Sequence, residues 1–377
     1  MLPSAPKTFG RLTEVLVSAY ASVGGSKQNT IGLKKAQKAV VILVDGLGAS
    51  NIRFQPGHAP FLNSQLGKSS TIECAFPSTT AASITSFATG YAAGKHPIIG
   101  YQVFDRALNQ PVNLLTGWST SFKPERQTEP TVSQLAANEG IDFVFCGPGE
   151  YENSGFTQAT MPGASYLAAK SIEERFVRVA NLLKRPGRQV VYLYIPELDQ
   201  LAHSQGSQSH SWLNKLEELD ALVRSFVKDL PAQVGCLLTA DHGVVDVGHE
   251  AHRFLDEIEL SDLIFAGGDP RVSFLYFDES ISSANIEKNV KLLENALSDC
   301  AYIARKQEVV DAGWYGPVVS DEARKLMPDV FIVAKTKVAF YHRAFAKTKS
   351  MQMVGQHGSI SSEETKIPLL KFGVYAQ

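Results

Sequence analysis

Residues 39–48 read AVVILVDGLG, an unbroken apolar run from Ala39 to Val44 that stops abruptly at Asp45-Gly46. A run rich in β-branched residues and without polar alternation suits a strand buried on both faces, as in a parallel sheet covered by helices. In sheets of that kind ligands gather beyond the carboxyl ends of the strands, so a carboxylate placed directly after the run is a candidate for chemistry.

Similar runs stand at 142–145, 189–195, 234–239, 272–277 and 329–333. Between several of them apolar residues recur at helical spacing: Leu12, Val15, Leu16 and Ala19; Ile172, Phe176, Val179 and Leu183; Leu216, Leu219, Val223 and Phe226; Ile286, Val290, Leu293 and Leu297. This alternation predicts an α/β fold with a mostly parallel central sheet and helices on both faces. No repeat, low-complexity tract or long Pro/Gly linker divides the chain, so residues 1–377 are expected to form a single catalytic domain. Within it, about 248–343 is expected as a small inserted cap subdomain, because it interrupts the polar motifs described next.

Composition sets the outer bounds. The 377 residues are 44% hydrophobic and 20% charged, close to ordinary globular proteins, which argues against disorder or a fibrous repeat. With 36 Lys and Arg against 38 Asp and Glu, the net charge of -2 gives no broad basic face for nucleic acid or anionic lipid. The N-terminal stretch lacks the basic, apolar and small-residue signature of a secretory signal, and no apolar stretch is long enough to span a bilayer, so a cytoplasmic, membrane-free protein is expected. Cys74, Cys146, Cys236 and Cys300 are far apart, form no CxxC pair and read as buried free thiols.

The polar residues after the apolar runs form a pattern. Asp45-Gly46 follows the first; Glu197-Leu198-Asp199 and then His203 follow the run ending at Ile195; Asp241-His242-Gly243 follows the run ending at Thr239. Each alone reads as a helix cap or a structural histidine. Together with His357, flanked by Gly355 and Gly358, they supply three aspartates and three histidines, a donor set suited to Zn²⁺ or Mn²⁺ and large enough for two ions. Asp199 and His203 are spaced to share one helical face. Asp241 and His242 are adjacent, so a turn is required to converge them. His210, His249 and His252 end no strand and are read as bystanders.

A nucleophile candidate lies in Phe76-Pro77-Ser78-Thr79-Thr80, after which Ala81, Ile84, Thr85 and Ala88 continue at helical spacing to Gly90. Thr80 would then open a helix, where free backbone N–H groups and the helix dipole favour an anion and a metal would ease loss of the hydroxyl proton. The plainer reading is that Ser78, Thr79 or Thr80 is only an N-cap.

Taken together, VDG at 44–46, FPSTT at 76–80, ATG at 88–90, HPIIG at 96–100, DxxxH at 199–203, ADHG at 240–243 and QHG at 356–358 resemble the alkaline phosphatase superfamily, specifically its nucleotide pyrophosphatase/phosphodiesterase branch. The resemblance implies an alkaline phosphatase-like fold and a small-molecule phosphate ester substrate. It implies one metal site at Asp199, His203 and His357 and a second at Asp45, Asp241 and His242, with Thr80 bridging toward both. It also implies in-line attack by Thr80, a covalent phosphothreonine and release by water. Two departures bear on substrate: family diesterases hold a phosphoryl oxygen with an asparagine where this chain has Tyr101, whose phenol can still donate, and the aromatic residue that often follows the nucleophile is Ala81. Tyr194 matches a family aromatic beside the substrate group.

Phosphonate or phosphomonoester hydrolysis on the same site is the alternative within hydrolases. A sulfatase would need Cys-x-Pro-x-Arg, which Cys74-Ala75-Phe76-Pro77-Ser78 lacks. Gly46-Leu47-Gly48 after a strand suggests a dinucleotide fingerprint, but Asn51 stands at its third glycine and Asp45 would face a pyrophosphate. A non-catalytic metal or phosphate binder would not need six ligands plus Thr80. Oligomeric state has no signature in the sequence.

Overall fold

A computed structural model describes residues 2–6, 11–67 and 69–376. In chain order its principal strands are β1 (Lys38–Val44), β2 (Asp142–Gly147), β3 (Ser165–Ala168), β4 (Gln189–Ile195), β5 (Val234–Thr239), β6 (Leu263–Asp269), β7 (Val272–Phe277), β8 (Ala301–Arg305), β9 (Val330–Ala334) and β10 (Leu370–Gly373). Six of them form one sheet in the order β10-β5-β1-β4-β2-β3. Its internal pairs are parallel, and only the edge pair of β10 with β5 is antiparallel. Every residue of β1, β4 and β5 is buried, which requires cover on both faces.

That cover comes from two packs of helices. The helix Leu12–Ser22, here α1, lies against α2 (Thr80–Thr89), while α3 (Ile172–Leu182) packs on α5 (His210–Lys228), which also supports α4 (Glu197–Gln205). On α5 the buried residues Trp212, Leu216, Leu219, Val223 and Phe226 make a stripe at helical spacing, and Ser209 caps its start by accepting from the Trp212 N–H. Among the described residues no helix is long and apolar enough to cross a membrane.

Two of the apolar runs do not join the parallel sheet. β7 and β9, the runs at 272–277 and 329–333, belong to a separate four-stranded antiparallel sheet, order β6-β7-β9-β8. Their continuous burial has a different origin. Phe274, Tyr276, Phe331 and Val333 face the main core, whereas Leu275, Phe277, Val330 and Ile332 pack with Val290, Leu293 and Leu297 of α6 (Ser283–Leu297). A small sheet sandwiched between the core and its own helix thus hides both faces, and its period-2 alternation cannot be seen in polarity. This second sheet lies within 248–343 and is continuous with the main core through those four residues.

Three cysteines are buried and Cys74 is half-buried, all as free thiols.

Candidate active site

Register brings the polar residues together. Val44 of β1 lies beside Ile195 of β4, and Leu43 lies beside Thr239 of β5, so three neighbouring strands end at one level. Asp45 follows β1 directly, Asp199 sits in the first turn of α4 just beyond β4, and Asp241 follows β5 by one intervening residue. Gly46 makes this convergence sterically feasible. Its φ is +70°, and a Cβ there would lie 2.9 Å from Asp199 Oδ1.

Among the described residues, two groups of potential ligand atoms cluster tightly: Asp45, Asp241 and His242; and Asp199, His242 and His357. The first is the set the resemblance implied. The second differs by one residue, since His242 stands between the two groups and His203 lies alongside Asp199, with Nε2 3.2 Å from Oδ2. His203 nevertheless remains part of the cluster, its ring centroid 5.1 Å from that of His357. The predicted turn after Asp241 is present: His242 Nε2 comes within 3.6 Å of Asp241 Oδ2 and 3.5 Å of Asp45 Oδ1.

The histidines share one orientation. Nδ1 of His203 is 2.8 Å from the Gly355 carbonyl, Nδ1 of His357 is 2.9 Å from the Ser78 carbonyl, and Nδ1 of His242 is 3.2 Å from the Gly243 carbonyl. A carbonyl only accepts, so each Nδ1 carries a hydrogen, and in the neutral ring each Nε2 lone pair is left free. For His203 and His242 that nitrogen lies next to carboxylate oxygens.

Charge is unbalanced in the cluster. Burial, then the neighbouring Asp241 and Asp199, push the Asp45 carboxyl well above the usual range. Burial also raises Asp241, against the pull of His242. At Asp199 burial is outweighed by His203, His357 and His242, which hold it below the usual range, and Asp199 in turn raises His203 to about 9 against its own burial. Asp45 Oδ1, Asp199 Oδ1 and Asp241 Oδ2 are sealed from solvent and, among the described residues, have no hydrogen-bond partners. Orphaned carboxylate oxygens among free imidazole nitrogens are the donor set a divalent cation satisfies, so these residues fit metal.

Thr80 opens α2 as expected, with Thr79 in extended conformation at the N-cap and Gly90 closing the helix at φ +76°. Its Oγ1 lies 3.2 Å from His242 Nε2. The loop before it is tied to the His357 loop, since the Ser78 hydroxyl donates to the Ser359 carbonyl at 2.7 Å and accepts from the Gly358 N–H at 3.0 Å. His96 of the HPIIG motif stays outside the cluster; its Nε2 meets the Ser86 hydroxyl on α2 at 2.9 Å.

A cavity of about 880 Å³ opens over the cluster and is bounded by Asp45, Thr80, Asp199, His203 and His357. Tyr194 lines it but points back to the cluster, its phenol donating to Asp45 Oδ2 at 2.5 Å. Tyr101 lines it too, at 36% exposure; its phenol engages the Asn113 side chain rather than any cluster residue. His210, His249 and His252 join neither ligand group. Asp269, absent from the sequence reading, also faces the cavity. It ends β6, whose LIFAGGD is too glycine-rich to announce a strand.

The model of the type I phosphodiesterase / nucleotide pyrophosphatase family matches residues 39–360. An uncharacterized pyrophosphatase/phosphodiesterase of Schizosaccharomyces pombe is 24% identical over 63% of the chain, and the chain spans about half of that relative, 51%. Among solved structures, murine ectonucleotide pyrophosphatase / phosphodiesterase 5, in an inactive threonine-to-alanine form with AMP, aligns with a TM-score of 0.70 at 17% identity, covering 90% of this chain and 88% of that one. The human counterpart gives 0.67 at 17% identity, over 89% and 88%. At this identity the likeness is one of fold.

Proposed function

The chain belongs to the type I phosphodiesterase / nucleotide pyrophosphatase family, and on that premise we propose that it hydrolyses phosphodiester or pyrophosphate bonds with two divalent metal ions, most suitably zinc, through a covalent phosphothreonine at Thr80. The single observation that carries this is the Thr80 hydroxyl 3.2 Å from His242 Nε2, the imidazole common to both ligand groups. Asp199, His203 and His357 would hold one ion and Asp45, Asp241 and His242 the other. A pair of cations held there would supply Lewis acidity to the attacking and departing oxygens.

The remaining roles fall to the chain itself. Thr80 Oγ1, its proton released to solvent, attacks phosphorus in line, forming a P–O bond as the bond to the leaving alcohol or phosphate breaks and that group takes up a proton; a water oxygen then attacks the same phosphorus, the P–Oγ1 bond breaks, and Thr80 regains its proton as the phosphoryl product leaves. Backbone N–H groups in the first turn of α2 face a developing anion without reorganisation. Tyr194 fixes one Asp45 oxygen and leaves the other free.

We favour a diester because aromatic walls including Trp118, Tyr151 and Phe156 extend beyond the cluster and suit organic substituents on phosphorus, of which a diester carries two. We read the segment 248–343 as a cap, because it brings Asp269 and Tyr341 to that cavity. Four free thiols suit a reducing compartment, consistent with a cytoplasmic location.

The test compares bis(p-nitrophenyl) phosphate, p-nitrophenyl phosphate, a phenylphosphonate ester and a nucleotide ester, with and without chelator. Diester turnover that chelator abolishes and zinc restores is expected. Turnover indifferent to chelator would overturn the metal assignment, and equal monoester turnover the diester preference.

A further inference from the structure

We propose that Asp269 binds a primary ammonium group carried on one ester substituent of the substrate, an assignment that rests on the phosphodiesterase reading above. Asp269 ends β6 at the turn into β7, opposite Val272. It lines the same cavity as Asp199, His203 and His357, and it sits against Gly358, where an added Cβ would come within 3.0 Å of Asp269 Cβ.

The residue is 8% exposed, its Oδ2 is sealed from solvent without a partner, and among the described residues no hydrogen bond or ion pair reaches the carboxylate. A buried carboxylate with no donor is costly, and such groups stand in folded chains where a ligand satisfies them. Neither ligand group includes Asp269, and it stands outside the six residues assigned above to the two ions. Lys347 and Lys349 line the cavity but do not pair with it.

An ammonium group meets what the site lacks. It brings three N–H donors and a positive charge to an acceptor-only group, and charge-assisted bonds of this kind are the strong ones. Tyr101 and Tyr341 line the same cavity and bring aromatic surface to it, which suits a cationic ligand. Burial, opposed by His203, pushes the empty carboxyl up to about 8, which a cationic ligand would reverse.

The experiment uses the full zinc-loaded chain carrying Thr80→Ala and measures, by calorimetry, binding of 2-aminoethyl phenyl phosphate, propyl phenyl phosphate and 2-hydroxyethyl phenyl phosphate. The aminoethyl ester is expected to bind about tenfold more tightly than the other two, and Asp269→Asn to erase the difference. Asp269→Ser serves the same purpose should the asparagine variant not fold. Equal affinity of the amino and propyl esters overturns the proposal, as does an amino preference that survives in the variant. Equal affinity of the hydroxyethyl and amino esters assigns Asp269 to a neutral hydroxyl and overturns the ammonium. Turnover of the propyl ester by the unmodified chain is read separately: its absence counts against the phosphodiesterase reading and leaves the binding ratio to decide Asp269.

Discussion

The Arg271 guanidinium grips the Glu364 carboxylate through two parallel bonds, Nε to Oε1 at 2.8 Å and Nη2 to Oε2 at 2.7 Å, with both side chains shut away from solvent. Arg271 also donates to the carbonyls of Thr336 and Val338, tying the pair to the segment that follows β9. Glu364 accepts from the Ser359 N–H, two residues beyond His357, and its own carbonyl accepts from the Gly243 N–H, next to His242. One ion pair therefore holds two histidine-bearing loops at a fixed spacing. Removing one partner strands a buried charge, so Glu364→Gln or Arg271→Ala is expected to lose about 3–5 kcal/mol of stability. Urea denaturation measures this; unchanged midpoints in both variants would show the pair to be dispensable.

The crowded carboxylates lead to a second expectation. Asp45, Asp199 and Asp241 share a buried pocket in which burial and mutual repulsion raise Asp45 most clearly. Bound cations remove that penalty, so chelator is expected to lower the melting temperature, and added zinc to raise it in a concentration-dependent way. In chelator, Asp45→Asn is expected to be more stable than the unmodified chain by about 1–3 kcal/mol, since one uncompensated charge is gone. With zinc present the order reverses. A variant less stable than the parent under both conditions would contradict this account.

The cluster was legible because its members follow apolar runs. Val44, Ile195 and Thr239 announce the strand ends, and Asp45, Asp199 and Asp241 fall just beyond them. What the sequence concealed depends on tertiary packing. The run at 272–277 looks like any doubly buried strand, and only the position of α6 shows that it belongs to a second sheet. His242 as the imidazole common to both groups depends on how the chain bends at 241–243, which residue type does not encode. Asp269 follows two glycines, a weak strand signal, and Arg271 with Glu364 are ordinary charges until the fold brings them together from distant positions.

Replacing Thr80 separates chemistry from folding. Its methyl and hydroxyl sit at a half-buried helix start whose cap is Thr79, so Thr80→Ala is expected to leave stability within about 1 kcal/mol. Diester turnover is expected to fall at least a thousandfold, on the order seen when a nucleophile is removed, while Thr80→Ser retains part of it. Acid-quenched mass spectrometry of the unmodified chain is expected to find phosphate on Thr80. Robust turnover by Thr80→Ala would falsify its role as nucleophile.

His96 gives the fold an acid-sensitive element outside the cluster of aspartates and histidines. Its ring is fully buried, Nε2 meets the Ser86 hydroxyl, Nδ1 has no partner among the described residues, and burial pushes its pKa down to about 3. An unfolded histidine titrates near 6.5. Between these values the unfolded chain binds a proton that the folded chain refuses, so the stability present above pH about 6.5 is lost as pH falls toward 3, at a slope of about 1.4 kcal/mol per pH unit. His96→Asn loses the packing and the Ser86 contact, so it starts less stable at pH 8, but this component of its acid slope disappears. Urea midpoints of the two proteins, taken in chelator from pH 8 to pH 4.5 so that the ligand histidines contribute alike to both, are therefore expected to converge as pH falls. Midpoints that run parallel throughout would mean that the folded chain accepts the His96 proton as readily as the unfolded one.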